Sequence, residues 1–306
     1  MKPAAFAVLS FLTAIHGGAP QRFRTDAEAV RVDVLVKDGS RPVAGLTAAD
    51  FELRDRGVVQ RIEAVTFEDV PLSVMVALDT SDSLAGRALE DLRAAAIAAV
   101  QLLRPDDRAA LLTFNHRLWR RSPWTADRAP LERALGGVEA AGGTGLHDAA
   151  YAALTLKDET PGRALVLLFS DGHDTASWLP GSHVIETARR SEAVVYAVSL
   201  RTAAGRAPGY RLDFRSGVQP PVPANAKSLL SEDFLSALAS QTGGELLAVT
   251  ESESLRRTFV HIVNEFRTRY LLTYTPSGVD AGGWHPIDVR LRARRGTVTA
   301  RRGYMK

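Results

Sequence analysis

The stretch that decides the fold is residues 72–83, LSVMVALDTSDS. Its first part, residues 72–78, is a nearly continuous apolar run and predicts a strand buried on both faces of a parallel sheet. Asp79, Ser81 and Ser83 follow at alternate positions, and side chains two apart in an extended segment point the same way. Three oxygen-bearing side chains are therefore expected to converge just past the end of the strand. That pattern predicts half of a site for a hard cation.

Strand and helix patterns alternate on both sides of this stretch, from residue 72 to about residue 268. RALVLLFSD (163–171) and AVVYAVSL (193–200) predict further buried strands, and GRALEDLRAAAIAAVQLLRP (86–105) predicts an intervening helix that Pro105 ends. The last predicted helix carries an apolar stripe made of Leu255, Phe259, Ile262 and Phe266. The expected fold class is α/β, with a doubly wound and mostly parallel sheet covered by helices on both faces.

Segments of β pattern bracket this α/β region. VRVDVLV (30–36) alternates strictly, and RYLLTYTP (269–276), HPIDVRLRAR (285–294) and TVTARRGY (297–304) return to strand patterns. We expect the two ends to pair into one small β-sandwich, although two separate β flaps would produce the same pattern. The chain is accordingly divided into segments 1–19, 20–70, 71–268 and 269–306.

The first 19 residues resemble a secretory signal peptide. Lys2 provides a short basic region, residues 4–15 are apolar, and small residues follow. An uncleaved anchor is the alternative, because Pro20 sits badly just after a cut at Ala19. No later segment reaches the length of a membrane span, so the mature protein is expected to be exported, to the periplasm or the extracellular space, and not to span a membrane.

Composition limits the kinds of partner and the sources of stability that can be expected. The net charge is only +3 and no long basic run occurs, so nucleic acid is not an expected partner. The Arg-rich end of the chain is better explained as the solvated face of strands than as a phosphate-binding patch. The chain has no Cys and therefore no disulfides, which leaves core packing and metal as sources of stability. Oligomeric state cannot be predicted.

Three polar clusters lie at or beside predicted strand ends, where open α/β sheets bind ligands. The first is DTSDS (79–83), the second is GGTGLHD (142–148) and the third is FSDGHD (169–174). If the first and third strands are neighbours, five oxygen donors converge on one crevice: Asp79, Ser81, Ser83, Thr144 and Asp171. Oxygen donors of this kind suit Mg²⁺, Mn²⁺ or Ca²⁺.

The order Asp-x-Ser-x-Ser, then Thr in a Gly-rich loop, then Ser-Asp-Gly after a strand resembles the metal-ion-dependent adhesion site (MIDAS) of von Willebrand factor type A domains. The resemblance covers about residues 70–268, and the flanking β segments are similar to those of a bacterial exported subgroup. It implies that Ser81, Ser83 and Thr144 ligate the metal directly and that Asp79 and Asp171 act largely through water. It also implies a non-enzymatic domain in which an Asp or Glu of a partner protein completes the coordination.

One residue departs from the family pattern. Asp82 stands between the two Ser residues, where family members usually carry Gly, which adopts unusual backbone angles without steric cost. Asp tolerates such angles better than most residues, but its charge is expected to tighten metal binding or to weaken attraction for a partner carboxylate. Asp82, His173 and Asp174 are the candidates for the surface that faces a ligand beside the metal.

Other interpretations remain open at this point. The domain can be a structural module whose metal only stiffens the loops. It can instead be a metal-dependent hydrolase that uses the pairs His147–Asp148 and His173–Asp174, although no further ligands stand at helical spacing around them. Trp119 and Trp124, in HRLWRRSPWT (116–125), are expected on a loop, as interface anchors or tucked into the core. The segment 201–226 is either a functional loop or disordered.

Overall fold

The computed structural model describes residues 29–67, 70–156, 162–171, 174–200 and 224–306. The predicted signal peptide and residues 201–223 of the predicted loop lie outside the described residues. Residues 224–226 of that loop belong to a helix. Among the described helices, none combines the length and the apolar character that crossing a bilayer requires.

Five strands precede the α/β region: β1 (Val30–Asp38), β2 (Arg41–Pro42), β3 (Phe51–Asp55), β4 (Val58–Gln60) and β5 (Ala64–Phe67). The central strands are β6 (Leu72–Asp79), β7 (Arg108–Phe114), β8 (Leu118–Thr125), β9 (Arg163–Ser170), β10 (Val194–Leu200) and β11 (Leu246–Val249). Four strands close the chain: β12 (Tyr270–Tyr274), β13 (Trp284–Leu291), β14 (Thr297–Ala300) and β15 (Gly303–Met305). The helices are α1 (Arg87–Gln101), α2 (Arg128–Gly136), α3 (Leu146–Thr155), α4 (Gly181–Arg190), α5 (Ala224–Thr242) and α6 (Leu255–Arg267).

The six central strands form one sheet in the order β11-β10-β9-β6-β7-β8. All neighbours are parallel except β7 and β8, which form an antiparallel pair at the edge. Every residue of β6 is buried, as its apolar run predicts. The pairing of Leu78 with Phe169 confirms that the first and third predicted strands are neighbours and brings their carboxyl ends together.

Helices cover both faces of this sheet, which confirms the doubly wound α/β fold. One apolar core holds side chains of α1, α2 and α6, and a second core on the other face holds those of α3, α4 and α5. The stripe of α6 packs as its spacing predicts, since Leu255, Phe259, Ile262 and Phe266 are all fully buried.

The two β ends of the chain form a single sandwich. β1 pairs antiparallel with β12, with Val32 opposite Leu272, although more than two hundred residues separate them. One sheet has the order β14-β1-β12-β5 with β2 beside β1, and the other has the order β15-β13-β3-β4. A third apolar core, which includes Val34 and Leu53, lies between the two sheets. The alternative of two separate flaps is therefore wrong.

Buried ion pairs join the sandwich to the α/β domain. Arg163, at the start of β9, donates through Nε to Asp33 Oδ1 of β1 at 2.7 Å and through Nη2 to the Phe266 carbonyl at 3.3 Å. Lys37 of β1 pairs with Glu265 of α6, and Glu265 also accepts a hydrogen bond from the Tyr196 hydroxyl at 2.8 Å. These contacts hold β1 against the end of α6.

The structure corrects the placement of the two tryptophans. Trp119 and Trp124 lie in the edge strand β8, not on a loop, because a tight turn at Asn115 folds β8 back onto β7. Trp124 packs against an apolar core and donates its indole N–H to the Leu156 carbonyl at 3.3 Å. Trp119 is half-buried under the guanidinium of Arg121, whose Cζ is 5.1 Å from the ring centre. Neither is a free anchor on a loop.

Candidate metal centre

The loop after β6 places three of the predicted oxygen donors together. Asp79, the last residue of β6, is fully buried, and its Oδ1 accepts a hydrogen bond from the Ser81 backbone N–H at 2.9 Å. Its Oδ2 accepts from the Ser170 hydroxyl at 2.7 Å. The hydroxyl oxygens of Ser81 and Ser83 lie 3.0 Å apart. A local turn closed by Asp79 therefore brings the two Ser hydroxyls side by side.

The electrostatics of Asp79 favour a nearby cation. Burial raises the pKa of Asp79 from its ordinary value of 3.8 to about 7, and repulsion from Asp171 contributes in the same direction. Hydrogen bonds from Ser170 and Ser81 only partly offset this rise. Two carboxyl groups from neighbouring strand ends thus lie close enough to repel each other, and a cation placed near them would remove that repulsion.

Asp171 supplies the clearest sign of an additional ligand. It follows the last residue of β9, and its Oδ1 is buried without a hydrogen-bond partner in the described part of the chain. Buried carboxylate oxygens nearly always have a partner, and one without needs an explanation such as a water or an ion. This oxygen belongs to a carboxyl group close enough to Asp79 to raise its pKa, and it fits the outer shell of a hydrated hard cation.

Thr144, the fourth of the five donors in chain order, lies in a loop that is connected to neighbouring loops by backbone hydrogen bonds. Thr144 is buried; its N–H donates to the Thr175 hydroxyl at 2.9 Å, and its carbonyl accepts from the N–H groups of Thr175 and Ala176 at 2.8 and 3.0 Å. Ala141 donates to the Thr80 carbonyl at 2.8 Å. These bonds link the Thr144 loop to the loops that follow β6 and β9.

Glycines make this close approach possible. Gly142 has a φ of +71°, and a Cβ there would lie 2.2 Å from His116 Nδ1. A Cβ on Gly143 would lie 2.8 Å from the Thr175 hydroxyl. Sequence reasoning missed His116 and Thr175 as neighbours of the site. It also missed Asn115, a buried residue whose carbonyl accepts from Gly145 N–H at 2.7 Å; its position directly after an apolar strand was an available signal.

Asp82 is accommodated without backbone strain. It opens a short 3₁₀ turn, Asp82–Leu84, and its N–H donates to the Gly142 carbonyl at 3.0 Å. Among the described non-glycine residues only Arg56 has a positive φ, so no left-handed conformation requires Gly at position 82. The exposed carboxylate of Asp82 therefore adds charge to the rim of the site without distorting the loop.

The carboxylates of Asp174 and Asp148 hold a neighbouring loop. Asp174 Oδ1 accepts from the Leu146 N–H at 2.9 Å and from the Ser177 hydroxyl, at the start of α3. The carboxylate of Asp148 accepts from the backbone N–H groups of Trp178 and Leu179 at 3.0 and 2.9 Å. His173 lies outside the described residues.

No group of three or more His, Cys, Asp or Glu side chains that could hold a metal occurs in the part of the chain that the structure describes. A cation at this site would depend on the Ser and Thr hydroxyls as ligands. The His–Asp pair at the start of α3 is engaged with the backbone of another loop, with His147 Nδ1 lying 3.1 Å from the Leu179 carbonyl oxygen. That arrangement leaves little support for a hydrolytic centre built on His147 and Asp148.

Residues 74–173, which contain all the candidate donors, match the family of the von Willebrand factor type A domain. The chain contains a von Willebrand factor type A domain. The match begins within β6 and ends just after β9. The resemblance inferred from the spacing of Asp79, Ser81, Ser83, Thr144 and Asp171 is thereby confirmed at the level of the family.

One curated relative matches part of this chain. The human inter-alpha-trypsin inhibitor heavy chain H4 is 30% identical over 119 residues, which cover 35% of this chain and 13% of that relative. The chain thus spans only a small part of that curated relative.

Solved structures share the fold at low identity. A von Willebrand factor type A protein from Catenulispora acidiphila has a TM-score of 0.53 at 11% identity, over 87% of this chain and 74% of its own. Proximal thread matrix protein 1 from the mussel byssus has a TM-score of 0.51 at 13% identity, over 70% of this chain and 51% of its own. Another structure of the mussel protein, with a TM-score of 0.49 at 13% identity over 69% of this chain and 49% of its own, has zinc in its MIDAS motif.

Proposed function

We propose that this protein is an exported, non-enzymatic binding protein whose type A domain uses a divalent cation to bind an acidic side chain of a partner protein. The cation is Mg²⁺, or Mn²⁺ or Ca²⁺ in its place. The observation that carries the proposal is the buried, unpartnered Oδ1 of Asp171, next to the Asp79 carboxyl whose pKa is raised to about 7.

Each donor has a separate role in this proposal. Ser81 and Ser83 ligate through hydroxyls that already lie 3.0 Å apart. Thr144 ligates from the glycine loop, while Asp79 and Asp171 act largely through water and orient the hydroxyls. A cation held by these residues would supply a Lewis-acidic centre that a partner carboxylate can bind. Because hydroxyl ligands are neutral, much of the positive charge remains available to attract a partner carboxylate.

The proposal also includes the limits of the segments and the export of the protein. Residues 1–19 act as the signal peptide, residues 20–70 and 269–306 form the sandwich segments, and residues 71–268 form the type A domain. The pairing of β1 with β12 supports the grouping of the two ends. Export rests on the sequence of residues 1–19.

A scaffold module in which metal only stiffens the loops has less support. Backbone hydrogen bonds already connect these loops: Thr80 with Ala141, Asp82 with Gly142, and Thr144 with Thr175 and Ala176. A cation would add little stiffness to loops that are already tied together. Its larger effect would be on the charge of the open crevice.

Titration of Mg²⁺ or Mn²⁺ into the metal-free protein tests the proposal. We expect one saturable site, and Asp171→Ala should weaken it by about 100-fold, because second-shell partners of metal ligands typically contribute 10- to 100-fold. Asp106→Ala is the matched control, since Asp106 is an exposed Asp before β7, at the opposite edge of the sheet. It should leave affinity unchanged. Absence of binding in the parent protein, or equal loss in both variants, would count against the proposed site.

Asp82→Gly tests the departure from the family pattern. We expect metal affinity to fall by about three- to tenfold, because the substitution removes a negative charge from the rim. The free energy of unfolding should fall by about 0.5–1 kcal/mol, since Gly adds freedom to the unfolded chain where no positive φ requires it. Metal titration and urea unfolding measure the two effects. Unchanged or tighter metal binding would show that the Asp82 charge does not reach the site.

A further inference from the structure

One large apolar side chain stands apart from the rest of the described surface. Trp178 is 94% exposed, whereas the other exposed large hydrophobic residues, Val58, Val59, Leu118 and Tyr151, are only 40–46% exposed. Trp normally covers most of its ring with other protein atoms. An indole held almost wholly in water serves no packing role in the free molecule and needs another explanation.

The backbone that carries Trp178 is held at several points. The N–H groups of Trp178 and Leu179 both donate to the Asp148 carboxylate, at 3.0 and 2.9 Å. The Ser177 hydroxyl accepts from the N–H of His147 at 3.0 Å and donates to Asp174. The loop is thus bound to the first turn of α3 on both sides of the indole. Side-chain exposure on an ordered backbone is the arrangement of a preorganised binding residue, because little backbone entropy remains to be lost.

The same loop is attached to the candidate metal centre. The carbonyl of Thr144 accepts from the Thr175 and Ala176 N–H groups at 2.8 and 3.0 Å. Trp178 follows Ala176 by two residues, which is at most about 7 Å of backbone. Its Cα is therefore within about 12 Å of the Thr144 carbonyl oxygen, so Trp178 lies in the neighbourhood of a ligand seated at the metal.

His116 and Arg117 lie in the turn between β7 and β8, at the end of the sheet where the parallel strands terminate. His116 and Arg117 are exposed there, and the His116 ring lies against Gly142 of the Thr144 loop. The turn is itself closed by hydrogen bonds between Asn115 and Arg117, at 2.8 and 2.9 Å. The Arg117 guanidinium thus offers one positive charge to an acidic partner, in addition to any charge of the cation and against the negative charge of Asp82 on the rim.

We infer that Trp178 is the anchor residue of a partner-binding surface next to the metal, and that the partner is a protein segment with a large apolar or aromatic side chain within about three residues of its acidic residue. The spacing follows from the upper limit of about 12 Å, since three to four residues of extended chain span that distance at about 3.3 Å per residue. Trp is typical of the few residues that dominate the free energy of an interface. The inference rests on the proposed function, because the acidic residue is the one that the metal would bind.

Selection of peptides tests this inference. A displayed library of random twelve-residue peptides, selected on the protein in Mg²⁺, should yield peptides that contain Asp or Glu with an aromatic or large aliphatic residue within three positions. Selected peptides, made synthetically, are then titrated against the parent protein and two variants. Trp178→Ala should weaken binding by at least about tenfold. Tyr151→Ala, an exposed aromatic residue farther along α3, should change it by less than about twofold.

The outcomes separate the two hypotheses. Acidic peptides whose binding is lost in EDTA but is unaffected by Trp178→Ala would overturn the role of Trp178 and leave the metal-dependent function standing. If no selected peptide requires metal, the proposed function fails and this inference fails with it. Self-association of the free protein that Trp178→Ala abolishes would assign the surface to a second copy of the chain and would likewise overturn the inference. Metal titration and urea unfolding of Trp178→Ala should match those of the parent, because the exposed indole belongs neither to the candidate metal ligands nor to the apolar cores.

Discussion

Asp79→Asn should abolish detectable binding of Mg²⁺ and Mn²⁺ and at the same time make the metal-free protein more stable at pH 8. The Asn side chain has nearly the same shape and keeps the hydrogen bonds, because its Oδ1 still accepts from the Ser81 N–H and its Nδ2 can donate to the Ser170 hydroxyl. What it removes is a fully buried negative charge that lies close to Asp171.

The sign of the pH dependence follows from the direction of the pKa shift. Asp79 has a pKa of about 7 in the folded protein, against an ordinary value of 3.8. The folded state therefore binds more protons than the unfolded state between these values, so the stability of the metal-free parent falls as pH rises through that window. A shift of this size corresponds to an upper limit of about 4 kcal/mol at pH 8. At pH 8 we expect Asp79→Asn to be more stable than the parent by about half of this limit. At pH 3.5 we expect the two proteins to be equally stable.

Urea unfolding of metal-free parent and variant at pH 3.5, 6 and 8 measures this effect, and calorimetric titration measures metal binding. Asp106→Asn is the matched control, because Asp106 is exposed, and its unfolding curves should follow the parent at every pH. Retention of the parent's metal affinity in Asp79→Asn would place the cation elsewhere. A variant less stable than the parent at pH 8 would show that the Asp79 charge is already compensated within the protein.

Asp55→Ala should destabilise the protein by about 3–5 kcal/mol, the loss typical of removing one partner from a buried charged network. Asp55 is fully buried in the sandwich. Its Oδ1 lies 2.9 Å from His285 Nδ1, and its Oδ2 accepts from the hydroxyls of Tyr274 and Tyr304, each at 2.9 Å. The substitution leaves these buried polar groups without their shared acceptor, and each unpaired group carries its own desolvation cost.

The network also explains why Asp55→Ala should lower the stability of the whole sandwich. Asp55, His285 and Tyr304 lie on three strands of one sheet, β3, β13 and β15, whereas Tyr274 lies on β12 of the other. Burial, together with nearby Tyr304 and Asp55, raises the pKa of Tyr274, and burial with Asp55 raises that of Tyr304, so both hydroxyls remain donors. A single carboxylate thus joins the two layers of the sandwich, and its removal should loosen both.

Asp288→Ala is the control for this prediction. Asp288 lies on β13 and pairs with Arg290, but its side chain is half-exposed, so its loss should cost less than about 1 kcal/mol. Urea unfolding followed by circular dichroism compares the two variants. Metal affinity measured on folded Asp55→Ala should equal that of the parent, because the candidate centre lies in the type A domain. Equal stability of the two variants would mean that the buried network contributes no more than a surface ion pair.

The sequence alone determined the fold class and the composition of the candidate centre. The apolar run of β6 and the stripe of α6 predict burial because strand and helix periodicities are local properties of the chain. The alternate positions of Asp79, Ser81 and Ser83 predict adjacent oxygens for the same reason, and the structure brings the Ser81 and Ser83 hydroxyls to 3.0 Å. Asp171 was placed by the rule that parallel strands end at one edge of a sheet.

Only the tertiary structure decided how distant segments meet. Trp119 and Trp124 belong to a strand because β7 offers β8 a pairing edge, whereas the local sequence LWRRSPWT (118–125) is equally consistent with a loop. The exposure of Trp178 follows from the anchoring of its backbone by Asp148, thirty residues away in sequence. The network around Asp55 joins four strands whose contacts span up to 249 residues. Such contacts depend on which surfaces remain unpaired after the local elements have formed, and no local period in a single sequence encodes that choice.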